Sequence, residues 1–586
     1  MDFYGFYTGE VFDAYEYLGA HTTPEGTTFR TFAPQAHRLE LLLGDRVIPM
    51  EKIYNGQFYE VTVPDAAFGT TYEYRIYSNG GYTDHCDPYG NYMELRPAHK
   101  SILWDMDSYH FNDSQWMKKR TDMKNKPLNI YEMHAGSFKK PEDRNDAWYN
   151  YEELGDVLIP YLKDSGYNYV EFLPICEHPC DESWGYQTTG YFSPTSRFGT
   201  PTQLRKLIDR LHQNEIGVIL DFVPVHFAID SYGLARFDGS ALYEYPNNDV
   251  GRSEWGSCNF MHSRGEVRSF LQSSANYWLK EFHFDGLRMD AISNIIFWQG
   301  DERRGVNANA VSFVKNMNQK LKKANPGCML IAEDSTSFKG ITGRADQNSL
   351  GFDYKWDLGW MHDTLDFLAL PVEKRPENYH KLTFSMLYFE DENYLLPLSH
   401  DEVVHGKGTI VNKISGTPEE RLTQARLLYL YMIMHPGKKL NFMGNELAQW
   451  REWDEKRQQD FSLLQDDPRN AAFYQYMKAL NHLYLNNPAL SEEDYEPTGF
   501  EWADCHQEEK LIYAITRKSK KQTLMGVFNF SNIEQPYSVL LPDENKQAKL
   551  IFSTNDSSTP EVKLENGSMS LTLPPFTAYV FYVSES

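Results

Sequence analysis

Alternation of apolar and polar residues dominates the first hundred or so positions of the chain. Residues 27–32, 39–43, 59–63 and 71–77 change between apolar and polar side chains at nearly every step, and turn-forming residues separate these runs. A period of two indicates strands that have one buried and one solvated face. The pattern therefore predicts a β-sandwich over residues 1–105.

A different rhythm begins near residue 129. Short β-rich runs alternate with longer stretches of helical period, such as residues 267–282 and 310–323. This is the pattern of parallel strands that are each followed by a covering helix, and eight such runs favour a closed (β/α)8 TIM barrel over residues 106–488. The candidate strands are residues 130–134, 169–173, 218–222, 286–289, 329–332, 352–356, 395–398 and 440–443.

Strand-like runs without intervening helices close the chain. The helical period stops after Asn487 and Pro488, and residues 511–516, 523–528, 537–541, 549–553 and 578–583 then read as strands. These runs predict a C-terminal all-β sandwich over residues 489–586. The expected fold class is therefore multidomain, with a central TIM barrel flanked by an N-terminal β-sandwich and a C-terminal β-sandwich.

Length and charge restrict the classes of partner. A chain of 586 residues is too long for one hydrophobic core, which agrees with several domains. A net charge of -25 without a basic cluster would repel phosphate backbones and anionic lipids, so we expect no nucleic-acid and no membrane partner.

Two features of the sequence bear on localisation. The first residues lack the basic region and apolar run of a secretory signal peptide, and six scattered cysteines suit a reducing compartment. We expect a cytoplasmic monomer.

The sequence offers little for a metal or an organic cofactor. The segment Cys176-Glu-His-Pro-Cys180 supplies only three soft ligands, at a spacing unlike that of zinc sites and without a second cluster nearby. No glycine motif that cradles phosphate occurs in a suitable context. We therefore expect no cofactor.

Polar and charged residues stand at the predicted C-terminal ends of four barrel strands, where apolar residues would be ordinary. In a TIM barrel all these strand ends open onto one face, which is where active sites form. A single acid at such a position is more often a helix cap or a surface ion pair. Their occurrence together, beside arginine and histidine, favours a functional site instead. The set is Asp221, His226, Arg288, Asp290, Glu333, His400 and Asp401.

Three carboxylates on one face suit the cleavage of a glycosidic bond with retention of configuration. One acid must attack the sugar and another must donate a proton. We expect Arg288 to keep Asp290 ionised, and neighbouring negative charge to raise the pKa of Glu333 so that it holds a proton. The carboxyl groups of Asp290 and Glu333 should then lie about 5 to 5.5 Å apart.

Four segments at these positions resemble the short motifs of the α-amylase family of glycoside hydrolases and transglycosylases. They are Asp221-Phe-Val-Pro-Val-His226, Gly286-Leu-Arg-Met-Asp290, Ile331-Ala-Glu-Asp334 and Leu398-Ser-His-Asp401. Further segments narrow the resemblance to the bacterial glycogen branching enzymes, and it extends over nearly the whole chain. They include Tyr131-Glu-Met-His-Ala-Gly-Ser137, Ser183-Trp-Gly-Tyr-Gln187, Asp401-Glu-Val-Val-His-Gly-Lys407 and Gly444-Asn-Glu-Leu-Ala-Gln-Trp-Arg-Glu-Trp453.

The resemblance implies a role for each of these positions. Asp290 would be the nucleophile, Glu333 the general acid and then base, and Asp401 the residue that holds the sugar. The implied substrate-binding residues are His226 and His400 as hydrogen-bonding partners, Tyr186 as a stacking ring, and Asp221 with Arg288 as a supporting pair. The implied reaction moves part of an α-1,4-glucan donor, such as glycogen, amylose or amylopectin, to the 6-hydroxyl of a glucan acceptor and forms an α-1,6 branch.

Two alternatives remain open at this point. An α-glucan hydrolase would use the same carboxylates, because hydrolysis and transfer differ in acceptor binding and water exclusion. A glycogen-binding protein on an inactive barrel is disfavoured, because all three acids are present.

Some positions depart from the patterns of these families. Val225 stands where many α-amylases have an asparagine ligand for calcium, so we expect no calcium there. The N-terminal domain resembles the family's glycan-binding module. However, Phe32 stands where that module usually has tryptophan, and a longer sequence motif of the module is shortened here to Gly44-Asp45-Arg46. Residues 259–263 and 297–309 also depart from the pattern, which leaves the length of the transferred chain unpredicted.

Overall fold

The chain forms two compact units in the computed structural model, which describes residues 1–144, 147–542, 546–557 and 559–585. The first unit comprises Met1–Thr121, His134–Ile159 and Glu171–Asp353, and the second comprises Asp122–Met133, Pro160–Val170 and Tyr354–Ser586. Across the described parts of the chain, no helix is both long enough and apolar enough to cross a membrane.

Eight parallel strands follow one another in chain order around a closed barrel, which confirms the predicted fold. Their bounds agree with the predicted runs to within two residues. The third to fifth strands lie in the first unit, and the first and the sixth to eighth lie in the second. The strands are Asn129–Met133, Tyr169–Phe172, Gly217–Phe222, Gly286–Met289, Met329–Ala332, Tyr354–Trp356, Tyr394–Leu398 and Lys438–Phe442.

Long helices separate most of these strands, and local sequence signals set their starts. The side-chain oxygens of Thr200 and Thr417 each accept a hydrogen bond from the backbone N–H three residues later. The side chains of Gln203 and Glu420, at those later positions, accept in return from the backbone N–H of the threonine. A proline follows each threonine, at a position where the missing N–H costs nothing. The long helices are Tyr151–Ser165, Pro201–Gln213, Gly265–Glu281, Ala308–Ala324, Leu358–Ala369, Pro418–Met434 and Pro468–Asn486. The short ones are Phe3–Thr8, Ser114–Lys119, Asn248–Gly251, Ser293–Ile296, Ser385–Tyr388, Ile410–Lys413 and Leu463–Asp466.

The N-terminal part of the first unit contains two antiparallel sheets, as predicted for a β-sandwich. One sheet has the order Gly19–Thr23, Gly26–Phe32, Phe58–Val63 and Glu51–Ile53. The other has the order Arg46–Pro49, Arg38–Leu43, Thr71–Ser78 and Gly81–His85, with Ser101–Ile102 paired to Thr71–Ser78. Strands such as Arg46–Pro49 escaped prediction because they are exposed and do not alternate.

The C-terminal part of the second unit also contains two sheets, which confirms the all-β prediction. The larger has the order Phe500–Gln507, Ile512–Lys518, Thr523–Asn529, Ala578–Glu585 and Lys546–Ser553; the smaller has Gln535–Leu540, Ser568–Leu573 and Lys563–Glu565. Apolar side chains of both sheets form one core, for example those of Met525, Val539 and Leu571. The pattern of apolar and polar residues did not predict the strands Phe500–Gln507 and Lys563–Glu565, because neither strand alternates between buried and exposed positions. The domain boundaries near residues 105 and 488 remain predictions.

A buried ion cluster joins three parts of the second unit. Asp494 accepts a hydrogen bond from Lys438 of the eighth barrel strand at 2.9 Å, and another from Arg517 of strand Ile512–Lys518 at 2.7 Å. All three side chains are fully buried. Burial alone would raise the pKa of Asp494, but the two cations lower it below its ordinary value. The carboxylate is therefore charged and compensates two buried cations.

We predict that Asp494→Asn strongly destabilises the second unit. Removing one partner of a buried ion cluster leaves uncompensated charge and typically costs about 3–5 kcal/mol. The urea midpoint, followed by circular dichroism, should therefore fall clearly. Asp65→Asn is the matched control, because the pair Arg46–Asp65 is exposed and its loss should leave the midpoint unchanged. Equal midpoints for both variants would contradict the prediction.

Candidate active site

The guanidinium of Arg288 is the centre of a charged cluster in the first unit. Arg288 lies in the fourth barrel strand, is fully buried, and has Asp221 of the third strand as its register partner. One terminal nitrogen, Nη1, donates to Asp221 at 2.7 Å and to Asp290 at 3.0 Å, while Nη2 donates to Glu333 at 2.9 Å. Three carboxylates at the ends of three successive strands thus share one cation.

Asp290 and Glu333 directly follow neighbouring strands, and the backbone between the strand ends connects them. The Glu333 N–H donates to the Met289 carbonyl, and the Ala291 N–H donates to the Glu333 carboxylate at 3.1 Å. Ala291 has a φ of 49°, in the left-handed region that residues with a Cβ rarely adopt. Such strain persists where the surroundings enforce it, and here it points an N–H at Glu333. The two carboxyl groups remain partly accessible, with side chains 19% and 23% exposed.

The electrostatics of Asp290 differ from the sequence-based expectation. Burial raises the pKa of Asp290 well above its ordinary value; Arg288 opposes this rise, and the nearby Glu333 and Asp221 carboxylates add to it. Arg288 favours the ionised form of Asp290, as expected, but the net shift of the Asp290 pKa is upward, because burial and the two neighbouring acids outweigh the arginine. Asp290 takes up a proton more readily than an exposed aspartate would.

Tyr186 and His226 extend the cluster. The Tyr186 hydroxyl donates to Asp221 at 2.5 Å and accepts from Arg288 at 3.3 Å. The preceding Gly185 has a φ of 93°, and a Cβ there would lie 2.2 Å from the Pro174 carbonyl oxygen, so only glycine permits this turn. His226 Nε2 donates to the Tyr186 carbonyl at 3.1 Å, and burial lowers the pKa of His226 to about 4. The His226 ring is therefore neutral at pH 7.

His400 and Asp401 form a second group, in the second unit, with Glu132 of the first barrel strand. Glu132 is fully buried and accepts two hydrogen bonds of 2.9 Å from His400, one from the backbone N–H and one from Nδ1. His400 Nε2 lies 3.2 Å from the half-exposed Asp401 carboxylate. Burial alone would lower the pKa of His400, but Asp401 and Glu132 raise it well above its ordinary value. His400 is thus an imidazolium between two carboxylates.

The two segments that resemble branching enzymes most specifically pack against each other beside this group. The Glu452 carboxylate accepts hydrogen bonds from the Gly406 and Gly408 N–H groups at 3.1 and 2.9 Å. The Trp453 N–H donates to the Val403 carbonyl at 3.0 Å. Residues 401–408 and 444–453 therefore form one local structure that follows the seventh and eighth barrel strands.

Sequence reasoning assigned no role to Glu132, Ala291 or Glu452. A signal existed for Glu132, since it is an acid inside a strand whose five residues are all buried. Its partner His400 lies 268 residues further on, and no pattern in the sequence connects the two. The backbone angle of Ala291 has no sequence signal at all.

Three family models match most of the chain. The family model described as the N-terminal domain of α-1,4-glucan branching enzyme GlgB matches residues 2–89. The α-amylase catalytic domain matches residues 154–241 and 256–506, and the α-amylase C-terminal all-beta domain matches residues 502–584.

Curated proteins that resemble the chain over most of its length share one description. The 1,4-α-glucan branching enzyme GlgB of Fusobacterium nucleatum is 42% identical over 567 residues, which cover 95% of this chain and 92% of that protein. The GlgB of Geobacillus stearothermophilus is 40% identical, over 98% of this chain and 94% of that one. The chain belongs to the 1,4-α-glucan branching enzyme family. The GlgB of Bacillus subtilis agrees, with 39% identity over 95% of this chain and 91% of its own length.

Solved structures share the fold at much lower identity. A pullulanase from Anoxybacillus sp. LM18-11, solved with maltotetraose, aligns with a TM-score of 0.75 at 17% identity over 99% of this chain and 89% of that one. A putative α-amylase from Salmonella typhimurium aligns with a TM-score of 0.74 at 18% identity, over 97% of this chain and 100% of the other. These likenesses establish the fold alone.

We predict that Glu132→Gln makes activity sensitive to rising pH. Glu132 is one of two acids that raise the pKa of His400, so the amide variant should let the imidazolium lose its proton at a lower pH. In a branching-enzyme assay across about pH 6 to 9, the alkaline fall of kcat should therefore occur at a lower pH than in the wild type. We also expect a loss on the order of tenfold at the plateau, since a hydrogen bond to a charged group contributes about 1.5–3 kcal/mol. An unchanged pH profile in a variant with an unchanged thermal midpoint would show that Glu132 does not tune His400.

Proposed function

We propose that this chain is an α-glucan branching transglycosylase. It would cleave an α-1,4 bond of a glucan donor and transfer the released chain to a 6-hydroxyl, which forms an α-1,6 branch. The observation that carries the proposal is the pair of carboxylates at adjacent strand ends, Asp290 and Glu333, each bound to Arg288. Membership of the branching enzyme family supports the substrate and the outcome.

In the proposed first step, Glu333 protonates the leaving glycosidic oxygen while Asp290 attacks the anomeric carbon. The product is a covalent glycosyl-enzyme with inverted configuration. The raised pKa of Asp290 means that the cluster readily holds a proton, and that proton must reside on Glu333 when Asp290 attacks. Arg288 donates to both acids and compensates the negative charge that remains on the pair. We expect the two carboxyl groups to be about 5 to 5.5 Å apart, as retaining chemistry requires.

In the proposed second step, the ionised Glu333 removes the proton from an incoming 6-hydroxyl. The resulting oxygen attacks the anomeric carbon and displaces Asp290, so that two inversions give net retention. The Ala291 N–H and Arg288 stabilise the negative charge on Glu333 while it waits for the acceptor. Protons balance over the cycle, since Glu333 ends protonated as it began.

We assign sugar binding to the remaining residues of the two groups. To Asp401, at the C-terminal end of the seventh barrel strand, we assign the role of holding a sugar of the donor, which membership of the family supports. The imidazolium of His400 would hold Asp401 in its charged form. The neutral His226 has a buried Nδ1 without a partner among the described residues, and it would accept a hydrogen bond from a sugar hydroxyl. Tyr186, fixed through its hydroxyl, would supply a stacking ring.

Transfer is favoured over hydrolysis by the segments outside the carboxylate cluster. A hydrolase would need the same acids, so the cluster does not discriminate between the two reactions. Residues 401–408 and 444–453 support transfer, because they resemble branching enzymes and pack together beside Asp401. We further propose that the chain acts as a cytoplasmic monomer on neutral glucans and without a cofactor; the net charge of -25 agrees with the absence of nucleic-acid and lipid partners.

The decisive experiment follows amylose during incubation with the purified protein. Branching shortens the linear stretches without releasing chains, so we predict loss of iodine colour with few new reducing ends. Digestion with a debranching enzyme should then release reducing ends. Asp290→Asn should lower the rate at least about 10⁴-fold, as expected when a nucleophile is removed.

Other outcomes separate the alternatives. Reducing ends that appear together with the loss of colour would indicate a hydrolase. Colour and reducing ends that both stay constant, although the protein binds amylose, would indicate a glucan-binding protein. Full activity in Asp290→Asn would contradict the proposed mechanism.

A further inference from the structure

An exposed turn lies on the segment that begins at Asp401. The Lys407 N–H donates to the Val404 carbonyl at 3.2 Å and closes the turn. The two residues inside it, His405 and Gly406, have φ values of 58° and 79°. Both angles lie in the left-handed region, which glycine adopts freely and histidine adopts only at a cost in energy. Residues 405–407 are exposed, so burial of their side chains does not maintain this shape.

The carboxylate of Glu452 maintains the shape of the turn from outside. It accepts hydrogen bonds from the Gly406 and Gly408 N–H groups at 3.1 and 2.9 Å, and Gly408 also has a positive φ, of 78°. Backbone N–H groups that converge in this way form a site for an anion. Glu452 fills that site itself, and bonds to a charged acceptor are stronger than bonds between neutral groups. The convergence therefore fixes the turn and leaves no place for an external anion.

Further hydrogen bonds fix the turn relative to Asp401. The Lys407 ammonium donates to the Asp401 carbonyl at 2.9 Å, and the Lys413 ammonium donates to the Lys407 carbonyl at 2.7 Å. The Asn412 side chain donates to the Trp450 carbonyl at 2.6 Å and joins the same two segments a second time. A change in the shape of the turn would therefore break bonds at Asp401 itself.

The segment that carries Glu452 also reaches Asp401 by a second route. The next residue, Trp453, is buried, and its ring meets the His400 ring edge to face with the centroids 6.3 Å apart. The Phe442 ring supports Trp453 from a centroid distance of 5.1 Å. His400 Nε2 in turn lies 3.2 Å from the Asp401 carboxylate. Residues 444–453 thus support Asp401 both through the turn and through His400.

The exposed side chains of the turn suit a ligand rich in hydroxyl groups. An ammonium group has three N–H donors, and Lys407 uses one of them for the Asp401 carbonyl. The imidazole of His405 can both donate and accept. Sugar hydroxyls also donate and accept, so both side chains can bind a glucan chain beside the residue to which we assign a donor sugar.

Binding of the acceptor decides which reaction completes the cycle. The glycosyl-enzyme is released when an O–H group gives its proton to Glu333 and its oxygen bonds to the anomeric carbon. A 6-hydroxyl gives a branch, whereas water gives a free chain with a new reducing end. The 6-hydroxyl reacts faster only if it is held in place, because positioning raises its effective concentration above that of water.

We infer that Glu452 is a positioning residue for the transfer step: it holds the turn so that His405 and Lys407 bind the acceptor chain, and it thereby favours branching over hydrolysis. The inference rests on the proposed function, which supplies the acceptor. It assigns the choice between the two reactions to a side chain outside the carboxylate cluster, whose acids serve both reactions equally.

The test uses Glu452→Gln in the full-length protein, because the amide keeps the size of the side chain but removes its charge and one acceptor oxygen. During incubation with amylose, reducing ends are counted before and after digestion with a debranching enzyme, which gives the chains hydrolysed and the branches formed. We expect the ratio of hydrolysis to branching to rise about tenfold, as is usual when a hydrogen bond to a charged group is lost. A merely structural role would lower both rates alike and leave their ratio unchanged.

Asp454→Asn is the matched control. Asp454 lies in the same segment but accepts from the Lys456 N–H at 2.9 Å, within its own turn, so the ratio should stay at the wild-type value. Lys407→Met removes an exposed ammonium and should also raise the ratio. This variant tests the inference even if Glu452→Gln does not fold, which its thermal midpoint would reveal.

Two kinds of failure are distinguishable. A wild-type ratio in each folded variant, Glu452→Gln and Lys407→Met, would overturn the inference although the wild-type protein branches amylose. A wild-type protein that releases reducing ends and forms no branches would refute the proposed function, and this inference with it.

Discussion

A single buried cation holds the reactive part of this molecule together. Arg288 has no contact with solvent, and its charge is compensated by Asp221, Asp290 and Glu333. Burial of an unpaired charge costs several kcal/mol, so the arginine requires these acids as much as they require it. Because Asp221 and Arg288 are register partners in adjacent parallel strands, a shift in that register would separate them. The geometry of the site and the register of the barrel are thus set by the same interaction.

Two buried histidines, one in each unit, show how the same side chain is given opposite properties. For His226 burial outweighs the hydrogen bond to the Tyr186 carbonyl, which would raise the pKa, so the pKa is lowered to about 4 and the ring is neutral at pH 7. His400 lies between Glu132 and Asp401, whose charges outweigh burial and keep the ring protonated. A neutral imidazole can accept a hydrogen bond from a sugar hydroxyl, whereas an imidazolium can only donate. In the proposed mechanism the first binds sugar directly and the second acts through Asp401.

The sequence was sufficient for the barrel, since most strands are short β-rich runs and most are followed by a helix of clear period. It also singled out Asp290 and Glu333, because they interrupt apolar patterns at strand ends, and the structure places both on Arg288. It was insufficient for partners far apart in the chain. The bonds from His400 to Glu132 and the sharing of Arg288 among three acids depend on how the strands are arranged, so the upward shift of the Asp290 pKa had no signal in the sequence. Exposed strands such as Lys563–Glu565 lack any burial pattern, so they too could not be predicted.

The central claim is that Asp290 becomes covalently bonded to the sugar. The most direct measurement is mass spectrometry of Glu333→Ala after treatment with 5-fluoro-α-glucosyl fluoride. Fluoride leaves without an acid, while the missing base and the fluorine at C5 slow the release of the sugar, so the intermediate should accumulate. We predict one fluoroglucosyl group on the peptide that contains Asp290. A label on Asp401 or another acid, or continued fluoride release from a protein that never gains mass, would contradict the account.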